Sequence, residues 1–243
     1  MINFLVGSAG SGKSIFIKEL IIKNLQNNKK SIYLNFNKAS LEFSEEMLEE
    51  SIILNANSFS QISKLKEFKT DKNLIIINMT SKEGNLGNKA INNILKTIFS
   101  NENFEEYNFF IEDIYKVTFE EIIIKKLRKI RGDIFFSGQT IKDFKFQSLY
   151  CPFNGNEYKI IFIKNNKDIF INEIRLLFHE NIFRNIKKDL SILDTKKDLI
   201  IFKNYGFELK NKKIYDISYE DMKKSKLTFN EYIENKILEM LWS

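Results

Sequence analysis

Residues 7 to 14 read GSAGSGKS, and this octet limits the folds open to the chain more than any other stretch. It satisfies G-x-x-x-x-G-K-[ST] and lies between an apolar β-type run, INFLV at 2 to 6, and a segment with Ile15, Ile17, Leu20 and Ile21 at helical spacing. A strand, a glycine turn and a helix in that order curl backbone N–H groups into an anion nest and aim the positive end of the helix at the same point. Gly7, Ser8, Ala9, Gly10, Ser11 and Gly12 are therefore expected to cradle phosphates. Lys13 is expected to reach the β and γ phosphates, and the Ser14 hydroxyl to complete the shell of a Mg2+ ion. The expected ligands are ATP and Mg2+.

The rest of the pattern agrees with such a loop. Further β-type runs are SIYLN (31 to 35), SIIL (51 to 54), NLIIIN (73 to 78), NFFIE (108 to 112), DIFFSG (133 to 138) and KIIFI (159 to 163). Helical stretches fall near 13 to 27, 41 to 49, 58 to 67, 86 to 100 and 117 to 130. Parallel neighbours need crossover connections, so this alternation predicts an α/β fold with a mostly parallel sheet flanked by helices on both faces. Runs such as LIIIN are apolar on both faces, as central strands of such a sheet must be. Past residue 164 the pattern changes to a helix at 170 to 187, two strands turning at 204 to 206 and a closing amphipathic helix. The expected organisation is a core over 1–165 with a C-terminal elaboration over 166–243 packed on the same domain, carrying a β-hairpin and a helix.

Composition bounds the function classes. With 43% hydrophobic and 29% charged residues the 243-residue chain is of the soluble globular kind, and its formal +6 suits nucleic acid or an acidic membrane surface. It equally suits a Lys-rich solvated surface. The loops NKKS (28 to 31) and KNNKD (164 to 168) fall under that bland reading unless a DNA track uses them. Cys151 is the single cysteine, which excludes an internal disulfide and a Cys-based zinc site and fits a reducing compartment. Cys151, Pro152 and Phe153 read as an ordered turn, and His179 as a helix residue without a catalytic part. No apolar run reaches the roughly 20 residues of a membrane-spanning helix, and the N-terminus carries no positive leader, so a cytoplasmic protein is expected, at most peripheral to a membrane machine.

A phosphate loop needs an acidic group at the end of another central strand. In YNFFIEDIYKV, Glu112 and Asp113 follow a β-type run and are expected at the C-terminal edge of the sheet, where ligands of open α/β sheets bind. Glu112 would hold Mg2+ through its water shell, and Asp113 would orient or deprotonate the hydrolytic water. In RKIRGDIFFSGQT, residues 128 to 140, an apolar strand finishes on Gln139. An amide there, on a strand beside the P-loop strand, can accept from a water and donate to a γ-phosphate oxygen, and so sense whether that phosphate is present.

The combination of GSAGSGKS, FFIED and RKIRGDIFFSGQTIKDF resembles the FtsK/HerA superfamily of RecA-like P-loop ring ATPases, particularly the ATPases of conjugation and type IV secretion. That resemblance covers roughly residues 1 to 165. It rests on an Arg-Lys pair, a glycine, an apolar strand and a glutamine followed by an acidic residue, with Arg128 eleven positions ahead of Gln139. It implies that Gln139 is the phosphate sensor, Lys13 and Ser14 the phosphate and magnesium ligands, and Arg128 an arginine finger offered to a neighbouring subunit, with Arg131 the alternative. It further implies a homo-oligomeric ring, a hexamer by analogy, that hydrolyses ATP to translocate or package DNA in conjugation, secretion or phage and viral assembly. Other proteins of such a secretion or assembly machine are then expected partners.

The chain departs from the family in two respects. Its acidic strand ends on Glu112 then Asp113, where the family has Asp then Glu, which lengthens the metal-side carboxylate by one methylene. The P-loop starts at Gly7, without the large preceding domain of conjugation ATPases, so the expected shape is closer to viral genome-packaging ATPases and to Zot-like phage assembly ATPases. Three rivals carry a P-loop as well. A small-molecule or nucleoside kinase would show an Arg-rich lid. An AAA+ loader would need a sensor arginine where residues 165 to 243 offer Arg175 and Arg184. A slow nucleotide-binding assembly scaffold would use the same loop without rapid turnover.

Overall fold

The computed structural model describes residues 2–36, 43–56, 59–81, 84, 85, 87–112, 120–140, 143, 158–163, 199–204, 213–217, 221, 224–228, 231, 232, 235 and 236. Its elements are β1 (Ile2–Val6), α1 (Lys13–Gln26), β2 (Ser31–Asn35), α2 (Glu45–Glu49), β3 (Ser51–Asn55), α3 (Phe59–Leu65), β4 (Leu74–Asn78) and a two-residue hairpin of β5 (Thr80–Ser81) and β6 (Gly84–Asn85). They continue with α4 (Asn88–Ile98), β7 (Asn108–Ile111), α5 (Glu121–Leu127), β8 (Ile134–Gly138), β9 (Tyr158–Ile163), β10 (Leu199–Asn204) and β11 (Lys213–Ile217).

Nine strands form one sheet in the order β11-β10-β9-β1-β8-β7-β2-β4-β3. The seven from β9 to β3 are parallel, and β10 and β11 extend the sheet past β9 as antiparallel additions. The expected mostly parallel α/β sheet with a hairpin beyond residue 165 is the observed architecture.

Two apolar layers cover the sheet. Phe4, Val6, Leu34, Ile77, Phe109 and Phe136 face α4 and α5, whose Ile91, Ile94, Leu95, Ile98, Ile123 and Leu127 close over them. The α4 residues recur at the three- and four-residue spacing of one helix face. Alternate strand residues, among them Leu5, Tyr33, Phe110, Phe135 and Ile161, lie under Phe16, Ile17, Leu20 and Ile21 of α1 and under Tyr232. Strands β1, β2, β7 and β8 are buried at every position, as strands covered on both faces are.

The closing segment is fastened to the far end of α1. Lys23 is 6% exposed and its Nζ donates to the carbonyls of Ser225 (2.5 Å) and Leu227 (3.0 Å). Burial pushes that ammonium below the ordinary lysine range. Thr228 and Glu231 are joined directly: the Glu231 carboxylate accepts from the Thr228 hydroxyl (2.6 Å) and backbone N–H (2.9 Å). Those two bonds, more than the nearby Lys29, lower the Glu231 carboxyl below its usual value. Lys29 and Lys30 of the NKKS loop are engaged with the protein itself, Lys29 bonding Glu231 at 3.2 Å and Lys30 standing 5.4 Å from the Tyr107 ring centroid.

Differences from the sequence reading are local. Helices α3, α4 and α5 end two or three residues before their periodicity suggested, and β7 stops at Ile111, one residue before Glu112. Of the turn expected at 204 to 206, Asn204 still belongs to β10 and pairs with Tyr158, Lys203 pairs with Lys213 at the start of β11, and residues 205–212 lie outside the described residues. The helix expected at 170 to 187, with Arg175, His179 and Arg184, lies outside the described residues, as do Cys151, Pro152 and Phe153.

Gly132 shows how β8 enters the sheet. A Cβ there would sit 2.0 Å from the Tyr107 carbonyl oxygen, a backbone atom at the start of β7. Only a bare Cα allows this approach. Gly132→Ala is therefore expected to destabilise the chain by about 1–3 kcal/mol, read as a lowered denaturant midpoint, whereas Asp133→Ala, which keeps its backbone bond to the Asn108 side chain, should cost less.

Candidate nucleotide site

The loop after β1 is built as its sequence requires. Gly10 and Gly12 have φ values of +77° and +92°, the left-handed region where a side chain is strained. Gly12 is the N-cap of α1 and makes no side-chain cap bond, so the first turn of the helix presents its N–H groups to whatever the loop holds. The turn is closed by the Ser11 N–H on the Ser8 carbonyl (3.2 Å) and the Phe16 N–H on the Gly12 carbonyl (2.9 Å). Gly7 is tight for another reason: a Cβ would lie 2.3 Å from the Ser11 Oγ and 3.1 Å from the Ile163 carbonyl. Lys13 arches over the loop, its Nζ donating to the carbonyls of Gly7 (2.6 Å) and Ser8 (3.0 Å). Ser8, Ala9, Gly10 and Ser14 are exposed.

Strand order brings the other groups to this edge. β1 pairs in parallel with β8, Val6 opposite Gly138, and the Gly7 N–H donates to the Gly138 carbonyl at 3.3 Å. Gln139 thus stands one residue past the strand end, at the level of Gly7, and is exposed. It is not the last residue of a buried strand; it begins the turn that follows one. Asp143 shapes that turn, its carboxylate accepting from the backbone N–H groups of Gln139 (2.6 Å) and Thr140 (2.9 Å).

β7 lies on the other side of β8, Ile111 opposite Phe136. Glu112 therefore emerges at the same C-terminal edge, one strand further from the loop. It is half-buried and accepts from the Tyr33 hydroxyl at 2.5 Å. Asp113 lies outside the described residues.

The arginines are placed elsewhere. After β7 the chain returns through α5, so Arg128, its exposed C-cap, is carried to the N-terminal edge of the sheet. The Arg131 N–H bonds the Glu105 carbonyl at 2.8 Å just before β7, and its guanidinium pairs with Glu106 at 2.8 Å. Both arginines are separated from the loop of their own chain by the length of β8, roughly 16 Å.

Ser14 and Glu112 are hard oxygen donors of the kind that hold Mg2+ together with phosphate oxygens. Among the described residues no group of three or more His, Cys, Asp or Glu is placed to hold a metal. Hard oxygens of this kind suit a divalent cation such as Mg2+.

Three features escaped sequence reasoning. Tyr33 is the phenol in the otherwise apolar middle of SIYLN, a visible oddity. Asp143 is the acidic residue after the glutamine, whose structural task the sequence did not reveal. Strands β2, β3 and β4 each end on asparagine. Asn35, Asn78 and Asn55 stand in register as a ladder, Asn35 Nδ2 on Asn78 Oδ1 (3.0 Å) and Asn78 Nδ2 on Asn55 Oδ1 (3.2 Å).

No protein-family model matches the sequence, and no curated protein matches it. Solved structures do resemble it. The genome packaging NTPase B204 of Sulfolobus turreted icosahedral virus 2 in complex with AMPPCP superposes with a TM-score of 0.54 at 18% identity, over 88% of this chain and 96% of that one. The same protein in complex with sulfate gives 0.53 at 16% identity over 90% and 98%. B204 described as the DNA-packaging ATPase of Sulfolobus turreted icosahedral virus gives 0.51 at 16% over 88% and 96%. At these identities the likeness establishes the fold, and the chain shares the RecA-like P-loop NTPase architecture of these proteins.

Proposed function

We propose that the chain is an ATPase of the FtsK/HerA kind that binds Mg-ATP, assembles into a homo-oligomeric ring of six subunits and couples hydrolysis to translocating or packaging DNA. The observation that carries this reading is the insertion of β8 between β1 and β7, which puts Lys13, Gln139 and Glu112 on one edge and Arg128 on the other. A kinase needs the loop but has no use for a glutamine hinged to it through the Gly7–Gly138 bond. Further support comes from the fold likeness to a genome packaging NTPase whose structures contain AMPPCP and ATP-gammaS.

In this reading the N–H groups of residues 7 to 14 and the Lys13 ammonium bind the β and γ phosphates. An entering phosphate is a stronger acceptor than the Gly7 and Ser8 carbonyls that Lys13 bonds. The Ser14 hydroxyl and Glu112 carboxylate would hold Mg2+, which when bound neutralises charge on the β and γ phosphates. Gln139 orients a water against the γ phosphorus. The water oxygen forms the new P–O bond, the bond to the β–γ bridging oxygen breaks, ADP leaves, and Asp113 or Glu112 takes the proton of the water. Arg128, remote from its own loop, is offered to the nucleotide of the next subunit.

ATP turnover measured with and without single- and double-stranded DNA, beside sizing with nucleotide, tests the whole reading. Turnover stimulated by DNA in an oligomer is expected, and DNA-independent phosphate transfer to a small molecule by a monomer would overturn it. Lys13→Ala should weaken ATP binding by about 10- to 100-fold. Gln139→Ala should keep ATP binding and lose the DNA stimulation of hydrolysis; lost binding would show a structural part instead. Arg128→Ala should lower turnover by about 10³-fold or more. Mixing its subunits with Lys13→Ala subunits should change activity non-additively, whereas strict additivity excludes a finger in trans.

A further inference from the structure

Tyr33 lies in the middle of β2, fully buried, its ring edge-on to Phe43 at 5.7 Å between centroids. A buried phenol stays in a core only where its hydroxyl has a partner. Here that partner is the Glu112 carboxylate, so the bond is charge-assisted. The pairing explains the direction: Tyr33 is opposite Phe110 and Leu34 opposite Ile111, so the ring must lean along the strand to reach a side chain two residues further on. β7 ends at Ile111, so Glu112 stands one residue past the ladder, and the Tyr33 bond is a side-chain contact made beyond the strand's end.

The platform under Tyr33 is itself fastened. Asn35, two residues on in β2, is bonded to Asn78 and through it to Asn55, which locks the ends of β2, β4 and β3 together. The Met79 N–H adds a bond to the Asn35 carbonyl at 2.8 Å, and the Ala56 N–H one to the Asn78 carbonyl at 2.9 Å. The end of β2 therefore cannot shift without breaking bonds to the end of β4, which is itself bonded to β3.

We propose that Tyr33 is a positioning residue, acting through Glu112 by holding its carboxylate in one orientation at the edge shared with the phosphate loop. This rests on the ATPase reading above. It predicts a group that sets the rate of the chemical step and leaves nucleotide affinity alone, since Tyr33 is fully buried in β2, with β8 and β7 between that strand and the one that carries the loop.

Tyr33→Phe removes the hydroxyl and keeps the ring. It should lower kcat for ATP hydrolysis about tenfold while KM and the affinity for a fluorescent ATP analogue stay within about twofold. Unchanged kcat would overturn the assignment, and so would a loss shared by kcat, KM and melting temperature, because that is the mark of a packing role. A second measurement needs no turnover. In the nucleotide-free chain, Tyr33→Phe and Glu112→Ala should be coupled in a double-mutant cycle by about tenfold in the unfolding equilibrium constant, and additive effects would show that the bond contributes nothing. A wild-type chain that turns over no ATP defeats the ATPase reading, and the cycle then decides the Tyr33–Glu112 pair by itself.

Discussion

The parallel pairing of β1 with β8 is the constraint on which the rest depends. Val6 faces Gly138, and the Gly7 N–H on the Gly138 carbonyl continues that ladder one step into the loop. The first residue of the P-loop and the residue before Gln139 therefore cannot move independently. At the other end of β8, Gly132 lies against the backbone of Tyr107, which fixes where the strand begins relative to β7. Both ends of one buried five-residue strand are thus set by backbone contacts that tolerate no side chain or no slip. A one-residue slip would also exchange the faces of Phe135 and Phe136, which are packed in opposite cores.

The same strand explains why the arginines and the loop are far apart. A parallel neighbour requires the chain to travel back across the sheet, and α5 makes that journey between β7 and β8. The side chain of Asn92 on α4 accepts from the backbone N–H of Glu120, the N-cap of α5, at 3.0 Å and fixes where the return begins. Whatever stands at the end of α5 is delivered to the edge opposite Gln139. The eleven-position offset from Arg128 to Gln139 is thus a helix cap, a turn and one strand, and it separates the two residues by the length of that strand. Intervals of this kind carry spatial meaning only after the strand direction is known.

Much of this was legible because the strands are buried on both faces. INFLV, SIYLN, LIIIN, NFFI and IFFSG read as continuous apolar runs, and the glycine loop between the first strand and helix announces its own conformation. Strand order was not legible in general, since pairing is non-local, but a Gln139 beside the glycine loop requires β8 to adjoin β1, and it does. Helix ends were overrun because periodicity persists into turns: Ile130 is 8% exposed although α5 has ended at Leu127. The Tyr33–Glu112 bond and the asparagine ladder could not be read, because each joins residues 20 to 80 apart in sequence whose proximity follows only from the order β7-β2-β4-β3.

The two ends of α1 show opposite solutions to one electrostatic problem. At its C-terminal end Lys23 is buried, and its ammonium donates to the carbonyls of Ser225 and Leu227 while the Glu19 carboxylate favours its charge. At its N-terminal end the cap has no side-chain acceptor, no acidic residue occupies the first turn, and Lys13 adds a full positive charge over the loop. Nothing in that first turn neutralises the helix dipole, so the field at GSAGSGKS is positive by construction of the backbone as well as by the lysine. An anion entering it meets N–H groups already oriented by Gly10 and Gly12, and the ordering that would otherwise oppose its binding has been completed in folding. The segment around Ser225 to Glu231 holds the far end of the same helix against Lys23 and Lys29, so the element that presents the loop is fixed at both ends, by β1 through Gly7 at one and by the closing segment at the other.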